Sequence, residues 1–282
     1  MTRTEIPTVT LPGGEKVVAL GQGTWGMAED PARRADEIAT LRHGLDLGMT
    51  VIDTAEMYAD GDAQTLVGEA IAGRRDEVFL VDKVLPGDAS RRGTVEAAER
   101  ALRRLGTDRI DLYLLHWRGR HPLADTVEAF RELQDQGKIR HWGVSNLDVD
   151  DLDELVELGA SDGLVTDQVL YNPTRRGPEW DLLPWLRGRG LPIMAYSPIE
   201  QGRLLGHPAL AAVAAEHDAT VAQIALAWVL DAGDVLAIPK ASSLDHVEEN
   251  RDAVGLRLTD AQRAELDRAF PPPQRKQALE IL

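Results

Sequence analysis

Residues 78–116 read VFLVDKVLPGDASRRGTVEAAERALRRLGTDRIDLYLLH. Two short apolar runs, Val78 to Val84 and Ile110 to His116, bracket a segment in which Val95, Ala98, Leu102 and Leu105 recur at three- and four-residue spacing. That spacing puts side chains on one helix face, and runs that are apolar almost throughout suit strands covered on both faces of a parallel sheet. The stretch is one strand, helix, strand unit. The alternation continues in both directions, with further apolar runs at Val17 to Leu20, Thr50 to Thr54, His141 to Ser145, Leu164 to Val169, Leu191 to Tyr196 and Val235 to Ile238. Helical stripes such as Ile38, Leu41, Leu45 and Val221, Ile224, Ala225, Trp228, Val229 lie between them. Eight repeats predict an α/β fold, a (β/α)8 TIM barrel. Thr220 with Gln223 and Thr259 with Gln262 read as capping boxes. Thr8 to Val18, with Gly13-Gly14 in its middle, predicts an N-terminal β-hairpin closing the barrel floor. The Pro271-Pro272-Pro273 run ends regular structure.

The length of 282 residues fits a single barrel domain over 1–282. A formal charge of −16, from 47 acidic against 31 basic residues, repels a polyphosphate backbone and argues against nucleic acid. With no cysteine, thiolate catalysis, disulfides and zinc thiolate sites are excluded. The chain has no long apolar run, and its opening MTRTEIPTVTLPGG has no stretch of signal-peptide character. A cytoplasmic monomer with no membrane role is the expectation.

In such barrels catalytic side chains stand at the C-terminal ends of several strands. Here those ends are polar: Asp53 closes one run with Tyr58 just beyond it, Lys83 lies at the end of the next, and His116 ends the third. Asp53 and Lys83 could neutralise each other as a buried pair without any catalysis, but that leaves Tyr58 and His116 unexplained. A tyrosine acting as an acid near neutral pH benefits from an adjacent ammonium that favours phenolate character, and a histidine can hold a carbonyl oxygen as charge develops on it. Together the four suit carbonyl reduction without a metal. The histidines show no HxH or HExxH pair, so a metal-dependent barrel hydrolase is disfavoured.

Through LGQGTWGM, VIDTAEMYADG, VFLVDKV, LLHW, HWGVSN, MAYSPIEQG and AIPKASSLDHVEEN, the chain resembles the aldo-keto reductase family over essentially its full length. The resemblance implies NAD(P)H-dependent reduction of aldehydes or ketones, with Asp53, Tyr58, Lys83 and His116 as the tetrad and Tyr58 as proton donor. It implies a nicotinamide carboxamide on Ser145, Asn146 and Gln168, and a ring stacked on Tyr196. Gly23, Thr24 and Trp25 after the first strand, and Ser197, Pro198, Ile199, Gln201 and Gly202 after the seventh, would line the cofactor path. Ile238, Lys240 and Ser242 follow the eighth strand, where a 2′-phosphate would bind, and Glu249 and Asn250 would meet adenine. His246 stands where many relatives carry an arginine, and its charge is partial near neutral pH, so NADP(H) is preferred with NAD(H) possible.

Asp167 replaces a frequent asparagine before Gln168, which puts its bond to the carboxamide or the tetrad in doubt; Asp82 should point away from Tyr58 by strand alternation. Trp25, Met57 and Trp117 are the expected substrate wall, with Tyr171 a weaker candidate. The chain closes soon after its last helix, which predicts an open pocket. A regulatory protein of the same fold that senses the cofactor with slow turnover is the alternative.

Overall fold

The computed structural model describes residues 3–282; the first two residues of the opening segment read above lie outside them. Strands β1 (Thr8–Thr10) and β2 (Lys16–Val18) pair antiparallel, and both turn glycines, Gly13 and Gly14, sit at φ near +90°, where any side chain is strained. Eight parallel strands then neighbour one another in chain order: β3 (Gln22–Gly23), β4 (Val51–Asp53), β5 (Phe79–Val84), β6 (Ile110–Leu115), β7 (Ile139–Ser145), β8 (Leu164–Leu170), β9 (Ile193–Tyr196) and β10 (Val235–Ala237). Each crossover from β3 to β9 carries one helix: α1 (Arg34–Asp46), α2 (Asp62–Ile71), α3 (Arg91–Leu105), α4 (Leu123–Asp135), α5 (Val149–Glu157) and α6 (Leu182–Arg187). Two helices, α7 (Pro208–Glu216) and α8 (Val221–Leu230), separate β9 from β10, and α9 (Leu244–Asp252) and α10 (Asp260–Ala269) follow.

The sheet closes where the first and last strands meet. Leu20 bridges Ala237, Gly21 N–H donates to the Ala237 carbonyl at 2.8 Å, and Gly23 N–H donates to that of Pro239 at 3.1 Å. Gly23 is needed at this seam, because a Cβ there would lie 2.7 Å from the Ile238 carbonyl oxygen. The structure is a (β/α)8 barrel.

The lumen is filled by Val51, Val81, Leu112, Leu114, Val165, Met194 and Leu236 from the strands together with Val9, Leu11, Val17 and Ala19 from the hairpin. The hairpin therefore plugs the floor, as its sequence predicts. A second, larger core lies between the strands and the surrounding helices. Both expected capping boxes are present, at α8 and α10, and α10 stops at Ala269 before the proline run.

Seven of the eight strand expectations fall within two residues of the observed strands. The first does not. Val17 and Val18 belong to the floor hairpin, and the first barrel strand is Gln22–Gly23. That strand is held not by apolar burial but by its seam and by the buried Gln22 amide, which donates to the Leu41 and Met49 carbonyls at 3.1 and 3.0 Å.

Candidate active site

Above the plug, the ends of β4, β5 and β6 carry Asp53, Lys83 and His116 to one rim, and the turn after β4 returns Tyr58 over them. Lys83 is fully buried. Its ammonium donates to Asp53 Oδ2 at 2.8 Å, to the Thr54 carbonyl at 2.9 Å and to the Tyr58 hydroxyl at 3.1 Å. All three donors of the ammonium are thus fixed. The second carboxylate oxygen of Asp53 accepts from Gln168 Nε2 at 2.7 Å, which ties the pair to β8.

Burial works against charge on Lys83, but Asp53 and Tyr58 outweigh it and hold its pKa above the ordinary lysine value. For Tyr58 the balance runs the other way from the sequence expectation. Burial raises its pKa more than Lys83 lowers it, so the hydroxyl keeps its proton firmly. Burial, with Lys83 adding, pushes His116 down to about 2, which makes it a neutral imidazole. Its ring lies edge-on to Tyr58 with centroids 5.9 Å apart, and its buried Nδ1 has no partner.

A cavity of about 460 Å³ opens directly over Tyr58 and His116. Ser145, Asn146 and Gln168 line one part of it and are already in mutual contact: Ser145 Oγ donates to the Gln168 carbonyl at 2.7 Å, and Asn146 Nδ2 donates to Ser145 Oγ at 3.0 Å. The Tyr196 hydroxyl donates to Asn146 Oδ1 at 3.0 Å. Gly23, Ser197, Pro198, Ile199, Gln201, Gly202, Ile238, Lys240, Ser242 and His246 also line the cavity. Trp25, Met57 and Trp117, the residues expected to form the substrate wall, also line it; Trp25 is half exposed and meets the Tyr58 ring edge-on at 5.1 Å.

Other expected residues stand elsewhere. Thr24 is buried beneath the rim, with its hydroxyl donating to the Asp53 carbonyl at 2.9 Å. Glu249 and Asn250, on α9, do not line the cavity. Tyr171 packs on Trp228 and donates to Glu179 at 3.0 Å, away from the site. Asp82 faces outward, where it accepts from Gln64 at 2.8 Å, and burial lifts its pKa to about 7. Asp167 is likewise buried on the outer side of β8 and bonds to nothing in the site.

The expectation of an open pocket is corrected by the tail after α10. Lys276 reaches Asp148 at 3.5 Å and Asp181 at 3.2 Å, Glu280 pairs with Arg175, and Ile281 and Leu282 then line the cavity. The cavity's other side is braced by the same arginine: Arg175 Nη2 donates at 2.7 Å to buried Glu200, which opens the loop 200–206. Asn172 Nδ2 donates to Glu200 at 2.7 Å and to the Ser197 carbonyl at 2.9 Å.

The family model described as "Aldo/keto reductase family" matches residues 18–270. The chain belongs to that family. Among the aldo-keto reductases it is similar to, methylglyoxal reductase YeaE of Escherichia coli is 47% identical over 97% of this chain and 98% of its own. Glyoxal reductase of Bacillus subtilis is 32% identical over 92% of this chain and 91% of its own. An aldo/keto reductase from Klebsiella pneumoniae, solved in complex with NADP and acetate, superposes with a TM-score of 0.95 at 50% identity, covering 98% of this chain and 99% of that one. This aldo-keto reductase is thus an NAD(P)H-dependent oxidoreductase acting on carbonyl groups.

Proposed function

We propose that the protein reduces small aldehydes of the 2-oxoaldehyde class, using NADPH in preference to NADH, with Tyr58 as the proton donor. The carrying observation is the single ammonium of Lys83 shared between Asp53 and the Tyr58 hydroxyl, directly beneath the cavity. The residues present suit a nicotinamide dinucleotide: amide side chains lie near Tyr58, and Lys240, Ser242 and His246 supply cationic and hydroxyl groups farther along the same cavity. When bound, that cofactor supplies hydride to the carbonyl carbon.

The chain's own part is to place and charge-balance the oxygen. Gln168 has committed its Nε2 to Asp53, so its Oε1 is the group left to accept from a carboxamide N–H, and the Asn146 amide can complete the pairing. His116, being neutral, can donate one N–H to the substrate oxygen without competing for its proton. As negative charge grows on that oxygen, the Tyr58 proton moves to it. The phenolate that results is held by the Lys83 ammonium, which Asp53 keeps in position. Hydride on carbon and a proton on oxygen complete the two-electron reduction to an alcohol.

The names of the Escherichia coli and Bacillus subtilis relatives support the substrate class, as does an apolar contribution to the cavity wall from Trp117, Ile281 and Leu282. No helix among the described residues is long and apolar enough to cross a membrane. A single domain over 1–282, a monomer and a cytoplasmic location complete the proposal on the sequence grounds given above. NADPH consumption should be followed with methylglyoxal, glyoxal, an aromatic aldehyde and a sugar aldehyde. The highest kcat/KM is expected for the first two, and a uniform absence of turnover would overturn the reading.

A further inference from the structure

Barrel closure brings the loop after the first strand beside the loop after the last, so residues some two hundred positions apart in the chain share one corner of the cavity rim. At that corner stand two cations, Lys240 in the cavity lining and Arg33 behind it, reached through Ser242. The Lys240 ammonium donates to Ser242 Oγ at 2.9 Å. Arg33, ending the short turn Pro31–Arg33 that leads into α1, donates through Nη2 to the Ser242 carbonyl at 3.1 Å. One serine is thus gripped by Lys240 at its hydroxyl and by Arg33 at its backbone.

Among the described residues, neither cation has a carboxylate within ion-pair distance. That is notable in a chain with 47 acidic residues, and Arg34, the next residue, is matched by Glu69 at 2.7 Å. Glu37, on the first turn of α1, is engaged instead by the Ala28 N–H at 2.9 Å. Burial first, and then the nearby Arg33 charge, press the Lys240 ammonium below its ordinary range; Glu37 and Glu29 oppose this only in part. Two like charges kept this close are stabilised by an anion placed between them. A guanidinium offers five N–H donors in a planar fork suited to phosphate, and Ser242 engages one of Arg33's.

We propose that Arg33 is a specificity-determining residue for the cofactor: with Lys240 and Ser242 it binds the 2′-phosphomonoester that distinguishes NADPH from NADH. It supplies, from the opposite side of the barrel seam, the guanidinium that His246 does not provide on α9. The inference rests on the NADPH reading above.

The test is equilibrium binding to the intact protein, read by tryptophan fluorescence or calorimetry, which needs no turnover. NADPH, NADH, adenosine 2′,5′-bisphosphate and adenosine 5′-monophosphate are compared for the wild type, Arg33→Gln and Arg33→Lys. Arg33→Gln should weaken NADPH and the bisphosphate by about tenfold, the loss expected for one charge-assisted hydrogen bond. NADH and the monophosphate should bind as before, and Arg33→Lys should recover part of the loss because it restores the charge without the fork. Equal weakening of all four ligands would show that Arg33 only shapes the loop, and an unchanged preference would show that it does not reach the phosphate; either overturns the inference. A wild type that does not distinguish bisphosphate from monophosphate overturns it together with the NADPH preference, yet leaves carbonyl reduction with NADH standing. Conversely, phosphate discrimination that depends on Arg33 in a protein that reduces no aldehyde upholds the inference and defeats the proposed function.

Discussion

The rim formed by β4 and β5 and the outer side of β8 each bury an aspartate almost completely, Asp53 at 2% exposure and Asp167 at 0%. At the rim, each oxygen of Asp53 has a partner, one the Lys83 ammonium and the other the Gln168 amide. On the outer side, neither oxygen of Asp167 has one. The Leu147 backbone N–H lies near Asp167 but does not make a hydrogen bond of normal geometry, and burial, with Asp151 and Asp148 adding, drives its carboxyl well above the usual range. Asp167 and Gln168 are adjacent on one strand and face opposite ways. The same residue type at the same depth is therefore half of an ion pair in one place and, in the other, an unpartnered carboxyl that burial holds toward its protonated form. Company, not burial, decides which.

The strongest way to test what the rim charge is for is Tyr58→Phe, which keeps the ring against Trp25 and removes the hydroxyl that Lys83 holds. Positioned general acids contribute roughly 10²- to 10⁴-fold. Single-turnover hydride transfer should fall by that much while NADPH affinity, measured in the same rapid-mixing experiment, barely changes. Wild-type turnover, or lost cofactor binding with intact chemistry, would remove Tyr58 from the mechanism.

Lys83→Met would leave Asp53 a buried carboxylate without its cation, with only the Gln168 amide as partner. Breaking a buried pair from one side costs about 3–5 kcal/mol. Denaturant unfolding should show a loss of that order along with collapsed turnover. Full stability would mean that the pair is not buried in solution, and full turnover that it is not catalytic.

Asp167→Asn tests the other half of the comparison. An unfolded aspartate ionises near pH ~4, whereas the folded Asp167 keeps its proton to higher pH. Above that point the folded state binds more protons than the unfolded one, so this residue makes wild-type stability fall as pH rises. Asparagine carries no such penalty. The variant's melting temperature should gain on the wild type as pH rises above about 4, and an offset independent of pH would contradict a raised Asp167 pKa.

The smallest effect belongs to a third kind of charge, one left in water. Glu280 and Arg175 are both substantially exposed, and such pairs are worth about 0–1 kcal/mol. Glu280→Gln should raise the aldehyde KM by no more than about fivefold, with kcat retained and the difference shrinking in high salt. A larger change that salt does not touch would mean that the tail is held by something other than charge.

These contrasts also mark what could be read from the sequence. Asp53, Lys83 and His116 were legible because each interrupts an otherwise apolar run at a strand end, where a polar residue needs a reason. Asp82 was placed correctly because strand alternation is a strict period of two. The first barrel strand was not legible, since Gln22–Gly23 has no apolar periodicity and owes its place to a seam with residues more than two hundred positions away. The tail was misjudged for a related reason: its length is visible in sequence, but its course depends on ion pairs with Asp148, before α5, and with Arg175 and Asp181, in the connection between β8 and α6. Arg33 escaped notice because nothing in PARRADE distinguishes it from a solvated helix-start arginine. Tyr58's high pKa was missed because the direction depends on whether desolvation or the ammonium dominates, which only packing decides.

The hairpin plug has one more effect, on the timing of proton supply. Val9, Leu11 and Val17 seal the lumen with apolar side chains that can neither give nor pass a proton. Tyr58 instead lines the cavity at the other end of the barrel, the opening that substrate and cofactor fill in the proposed reaction. Under the proposed mechanism each turnover would then run on the one proton loaded beforehand, with the phenol recharged only after the alcohol has moved aside.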